Sequence, residues 1–246
     1  MAFLHPNPMD QSSWIYQMMH FSTWFRCIGV DMPGYGRSPK ADSGLTMDDL
    51  AQAFWDCIND VEPGAPTILV GCSAGSRIIP YMYKQRPEMT AAVIMAGTGY
   101  SEQQSSFTNR INSYTEEGIA FRWLHNFVDF SPAFRATQMA HYFTEIFTER
   151  NVLGDADSII HQFEALETAD PQLVLRLACP TMIVSGTEDA SHSRALDLKK
   201  RMPHAEFRAI PGAGHACFIE QPWLFDRYVR EFLEHEGLLP NRESFG

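Results

Sequence analysis

Short runs of consecutive apolar residues alternate along this chain with longer segments in which apolar residues recur every three or four positions. That alternation predicts an α/β fold, a mostly parallel sheet flanked by helices. Six runs read as strands: Ala2–His5, Cys27–Asp31, Thr67–Val70, Ala91–Ala96, Thr181–Ser185 and the less apolar Glu206–Ile210. Gln11–His20 reads as a helix. Another starts at Thr46, a residue suited to the N-cap, with Asp49 three positions on at the positive end of the helix dipole. Met47, Leu50, Phe54 and Ile58 then mark its buried face. Further helices are expected over Arg77–Arg86 and from Trp223 to Glu234, where Leu224, Tyr228 and Phe232 share a stripe.

Between Gly97 and Pro180 the strand rhythm stops. This stretch is helical in character and carries Phe121, Trp123, Phe127, Phe130, Phe134, Tyr142, Phe143 and Phe147. At 246 residues the chain suits one compact domain with an insertion. The expected division is a core of residues 1–98 and 171–246 interrupted by a helical insertion at 99–170, the whole forming a single domain. The terminal residues after Leu239 read as a frayed tail.

Charge narrows the partners. Nineteen basic against 30 acidic residues leave a net charge of −11, which argues against nucleic acid and against anionic membranes. No run of 18 or more apolar residues marks a membrane span, and the N-terminal residues lack signal-peptide character. Five scattered cysteines without a CxxC pair suggest reduced thiols and a cytoplasmic setting. No histidine–carboxylate spacing resembles a metal-ligand set, and no cofactor is implied.

The strongest chemical signal is Gly71-Cys72-Ser73-Ala74-Gly75, a G-x-S-x-G pattern between the apolar run Thr67–Val70 and a predicted helix. A turn this sharp forces its central residue into a strained conformation, and glycines two positions either side remove colliding side chains. Ser73 is therefore the candidate nucleophile, with the Ala74 backbone N–H aimed at a developing oxyanion from a helix N-terminus. A serine hydroxyl needs a base. His215, in the loop Pro211-Gly212-Ala213-Gly214-His215-Ala216 after a predicted strand, is the first choice and His192 the second. His125, His141 and His161 fall in the insertion. The acid should lie between serine and histidine, at the end of Thr181–Ser185, where Asp189 is preferred and Glu188 competes.

These residues resemble the α/β-hydrolase superfamily, in its serine-nucleophile, esterase-like branch, over nearly the whole chain. Asp31-Met32-Pro33-Gly34-Tyr35-Gly36-Arg37-Ser38 is similar to the family's D-x-P-G-x-G-x-S loop. Gly186-Thr187-Glu188-Asp189 is similar to its acid turn, and Gly214-His215-Ala216 with Ile219-Glu220-Gln221-Pro222 to its histidine loop. The resemblance implies that the insertion is a lid. The family's His-Gly-x-Pro segment is here His5-Pro6-Asn7-Pro8; Pro6 has no N–H, so the Asn7 amide is the expected second oxyanion donor. The family's first two strands are missing, since the chain begins at the third. That would leave Cys27–Asp31 as an edge strand, covered by a partner subunit (a possible homo-oligomer), by a rearranged segment, or by residues of a gene starting upstream.

The expected activity is cleavage of an ester-like acyl bond through an acyl-enzyme on Ser73, with the aromatic insertion pointing to a small apolar substrate. Hydrolytic C–C cleavage and acyl transfer use the same triad and stay open. A ligand-binding receptor on the same fold is the alternative outside enzymes.

Overall fold

The computed structural model describes residues 1–99, 101, 106–121 and 129–240. Strands β1 (Ala2–Leu4), β2 (Ile28–Val30), β3 (Thr67–Cys72), β4 (Thr90–Ala96), β5 (Thr181–Gly186) and β6 (Glu206–Ile210) form one sheet in the order β2-β1-β3-β4-β5-β6. Every neighbouring pair is parallel. The strands lie where the apolar runs predict them. Their runs are continuous because both faces are buried: Leu69, Val93 and Ile183 enter one core, and their chain neighbours Ile68, Val70, Ile94 and Val184 enter the other.

Helices α1 (Ile15–Phe21), α2 (Met47–Val61), α3 (Ala74–Gln85), α4 (Thr108–Glu117), α5 (Pro132–Arg135), α6 (Gln138–Glu149), α7 (Ala156–Glu167), α8 (His192–Arg201), α9 (Cys217–Glu220) and α10 (Pro222–His235) cover the sheet. The segment Gln11–His20 is a 3-10 turn over Gln11–Trp14 that runs into α1. Thr46 and Asp49 close a reciprocal capping box at the start of α2: Asp49 N donates to Thr46 Oγ1 at 3.1 Å and Thr46 N to Asp49 Oδ2 at 3.0 Å. Apolar residues of α2, α3, α7 and α8 fill the first core, while those of α1, α6, α9 and α10 fill the second. The α3 helix begins at Ala74 instead of Arg77, directly after the turn at Ser73.

The insertion's aromatic residues divide between the two cores. Tyr114 and Phe163 join the first, while Phe130, Phe143 and Phe147 join the second, and Tyr142 is exposed. Trp123, His125 and Phe127 lie outside the described residues. At the sheet edge β2 is only three residues long, which gives another chain little backbone to pair with. Its faces are flanked by α2 and the Gln11–Trp14 turn. Among the described residues no helix is long and apolar enough to cross a membrane.

The order of the strands has a consequence for chemistry. From β1 the chain moves outward to β2, then returns to place β3 on the other side of β1. The connections that follow β1 and β3 run to opposite sides, so a crevice opens at the carboxyl ends of these two strands, where open α/β sheets hold their ligands.

Trp14 anchors the second core, with its ring 3.9 Å from that of Phe218 and 5.5 Å from that of Phe3, centroid to centroid. Trp14→Ala should therefore cost about 3–5 kcal/mol of stability, read from the urea unfolding midpoint. A loss well under about 1 kcal/mol would mean that this stack does not organise the core.

Candidate active site

The G-x-S-x-G segment forms the turn from β3 into α3. Ser73 has φ 53° and ψ −114°, the one non-glycine residue with positive φ among the described residues. A serine is strained there, so neighbouring contacts must hold it. Ser73 N donates to Ala96 O at 3.0 Å, and Ser76 Oγ donates to Gly71 O at 2.8 Å and to Ala96 O at 2.9 Å. Space explains the flanking glycines. A Cβ on Gly75 would overlap the Leu4 carbonyl of β1, and one on Gly71 would sit 2.8 Å from the Gly75 carbonyl carbon. Ala74 opens α3, so its N–H belongs to the first turn, where amides have no carbonyl partner within the helix.

His215 lies in the loop after β6, Asp189 in the loop after β5. The two side chains meet, with His215 Nδ1 3.0 Å from Asp189 Oδ2. Asp189 also accepts from Ser191 N and Ser191 Oγ, each at 2.8 Å, and its side chain is 2% exposed. Backbone bonds lace the loops together: Thr187 N donates to Ile210 O at 3.0 Å and Glu188 N to Ala213 O at 2.9 Å. The histidine loop is pinned from the insertion side as well. His215 N donates to Asp129 O at 3.0 Å, and Glu220 accepts from Gly214 N at 2.9 Å and from Ser131 Oγ at 2.5 Å. Gly97, with φ 54°, lies under the ring; a Cβ there would come 2.9 Å from His215 Cε1.

The competitors fall away from this arrangement. Glu188 is exposed. His192 Nδ1 bonds Ser185 Oγ at 3.0 Å, His161 pairs with Glu164, and His141 is exposed. Burial opposes charging of the His215 ring, but the Asp189 hydrogen bond and the negative charges of Asp129 and Asp189 outweigh it, so its pKa is raised. Burial likewise pushes the Asp189 carboxyl upward, yet the hydrogen bond and charge of His215, with the Ser191 bonds, bring it below its ordinary value.

The loop after β1 carries Asn7. His5 is fully buried: its Nδ1 donates to Pro6 O at 3.0 Å and its Nε2 accepts from Met32 N at 2.9 Å. Asn7 is buried too, and its Nδ2 hydrogen-bonds the Tyr35 hydroxyl. The loops after β1 and β2 thus form one unit beside the turn at Ser73.

Ser73, Ala74 and His215 line one cavity of about 510 Å³. Asp189 lines an adjoining one that also reaches His215. Asn7 is not among the described residues lining the larger cavity. Its walls differ from the apolar pocket expected from the sequence. Phe107, Phe163 and Leu166 contribute apolar surface, but Arg77, Arg110 and Arg194 line the same space. Sequence reading passed over all three arginines; the signal for Arg77 was its place one helical turn after Ser73. Among the described residues no group of three or more His, Cys, Asp or Glu side chains is arranged to hold a metal ion.

A family model described as the alpha/beta hydrolase family matches residues 1–225. The chain belongs to the α/β-hydrolase family. This hydrolase is 28% identical to Protein PHYLLO, chloroplastic, of Arabidopsis thaliana over 94% of its length, and spans 15% of that protein. It is 26% identical to the AB hydrolase superfamily protein YisY of Bacillus subtilis, over 94% of this chain and 90% of that one. Among solved structures it is similar to a thermophilic esterase from Thermogutta terrifontis, with a TM-score of 0.85 and 20% identity over 96% of this chain and 89% of the other. The structural likeness establishes the fold, and the family match establishes membership of the α/β-hydrolase family.

The pairing in this hydrolase can be read by titration. His215 should titrate by NMR with a midpoint above about 6.5, the ordinary histidine value. Asp189→Asn removes both the ionised acceptor and its charge and should lower that midpoint, whereas Glu188→Gln should leave it in place. An unmoved midpoint in Asp189→Asn would show that the two groups are not coupled.

Proposed function

We propose that this hydrolase cleaves ester-like acyl bonds through an acyl-enzyme on Ser73. The observation that carries the reading is a strained serine at the mouth of a helix, sharing a cavity with a histidine whose far nitrogen is bonded to a buried carboxylate. Asp189 accepts from His215 Nδ1–H, and this selects the tautomer with an unprotonated Nε2. His215 Nε2 takes the Ser73 hydroxyl proton as Oγ bonds to the substrate carbonyl carbon. The carbonyl oxygen becomes an oxyanion, for which the Ala74 and Asn7 backbone N–H groups are the proposed donors. The C–O bond to the leaving alcohol then breaks, and His215 returns the proton to that alcohol. Water, deprotonated by His215, attacks the acyl-serine and releases the acid with Ser73 restored.

Residues 99–170 act in this reading as a lid over a core of 1–98 and 171–246. Support comes from the cavity wall, where Asn109 and Arg110 of α4 and Phe163 and Leu166 of α7 complete the space above Ser73 and His215. All five cysteines are free thiols, which suits a reducing, cytoplasmic compartment.

A fluorophosphonate should add one mass increment on the peptide holding Ser73, and Ser73→Ala should lower kcat by at least about 10³-fold. Labelling at another serine, or full activity in Ser73→Ala, would overturn the assignment. Asp189→Asn should lower kcat by about 10²- to 10⁴-fold with little change in KM, since the lost interaction belongs to the transition state. A crippled Glu188→Gln beside a normal Asp189→Asn would transfer the role to Glu188.

The pH dependence has a definite sign. Only the neutral ring accepts a proton, so kcat/KM should rise with pH through the raised His215 pKa and be half-maximal above about 6.5. A flat profile across that range would exclude His215 as the base.

A further inference from the structure

Arg77, Arg110 and Arg194 reach the cavity of Ser73 and His215 from three separate helices, α3, α4 and α8. They converge in a chain whose net charge is −11, so they do not belong to a generally basic surface. No Asp or Glu is among the described residues lining that cavity. Carboxylates stand next door: Asp129, Glu188 and Asp189 line the adjoining cavity with Arg110, Arg135 and Arg194. Of these, Asp189 is taken up by His215 and Ser191.

Two of the guanidinium groups are held by aromatic faces. Arg77 Cζ lies 5.3 Å from the Phe107 ring centroid, and Arg110 Cζ lies 5.8 Å from that of Phe163. A guanidinium carries five N–H donors in a planar fork, which matches the oxygens of a carboxylate or phosphate two at a time. The cations also act on one another. Burial, and then the charges of Arg194 and Arg110, bring the Arg77 pKa down to about 10, so it remains charged at neutral pH while carrying the cost of like neighbours. An anion bound among the three would offset that repulsion.

We propose that the substrate of this site carries an oxyanion group, carboxylate or phosphate, which Arg77, Arg110 and Arg194 receive, so that Ser73 acts on a small anionic acyl compound. The chemistry rests on Ser73 being the nucleophile; the anion binding does not. The cavity of about 510 Å³ has room for a short acyl chain with its charged end. The insertion supplies two features at once, since Phe107, at the N-cap of α4, and Phe163 of α7 bring the rings and α4 brings Arg110.

Binding can be tested without turnover by calorimetry on the full chain carrying Ser73→Ala. The probes are monomethyl glutarate, its neutral counterpart dimethyl glutarate, and inorganic phosphate. At least one anion should bind about tenfold or more tighter than dimethyl glutarate, and added salt should weaken only the anion. The tighter of the two anions identifies the group. Arg194 is exposed on α8, so Arg194→Gln should fold normally; it should cut the anion preference about tenfold, and Arg194→Lys should retain part of it. Dimethyl glutarate binding as tightly as both anions, no measurable binding of either anion, or a preference that survives in Arg110→Gln/Arg194→Gln would overturn the proposal. Fluorophosphonate labelling of the unsubstituted protein separates the two readings. Labelling at Ser73 without anion preference defeats this inference alone, and anion preference without labelling defeats the serine mechanism alone.

Discussion

The close approach of α3 to β1 governs the geometry of the whole site. With Gly75 packed on the Leu4 carbonyl, the chain must turn from β3 into α3 within a single residue, and Ser73 takes the positive φ that this requires. Strain of this kind, of order 1–3 kcal/mol, persists only where surrounding structure over-determines it. Here the surroundings are the Ser73 N–H and the Ser76 hydroxyl, both bonded to the end of β4. The strand order supplies the setting: because β1 lies between β2 and β3, the turn faces a crevice instead of a neighbouring crossover.

On the other side of that crevice, hydrogen bonds do the positioning. The loops after β5 and β6 share backbone bonds, so the segments carrying Asp189 and His215 are tied together. The insertion is joined to the histidine segment through the Asp129 carbonyl and through Ser131 to Glu220. Any shift of the insertion near residue 130 would therefore be felt at the His215 backbone. Electrostatics at the ring follow from the same arrangement: Asp129 and Asp189 favour its charged form, while burial and Arg110 oppose it. The balance that sets the basicity of His215 is thus shared between the sheet and the helices above it.

Much was legible in the chain alone, and the reason is locality. A parallel strand buried on both faces must be a continuous apolar run, so all six strands could be placed to within two residues at either end. The Thr46 cap and the G-x-S-x-G turn are likewise short-range patterns, each imposed by a few consecutive residues. Ser73, His215 and the acid loop stood out as candidates because turn chemistry and strand ends are written in adjacent positions.

Other features depended on segments far apart in sequence. Glu188 and Asp189 are neighbours, and only the tertiary structure decided which carboxylate bonds His215: loop direction buries one and exposes the other. The aromatic residues of the insertion looked like a ligand pocket, yet most of them pack into the two cores. Arg77, Arg110 and Arg194 carry no common motif, because their convergence comes from where three helices end up around the sheet. The sequence by itself determined the fold and singled out Ser73, His215 and the acid loop as the candidate site, since hydrophobic periodicity and turn strain act over a few positions. The tertiary structure decided the acid's partner and the charge of the cavity, since side-chain direction and burial are settled between distant segments.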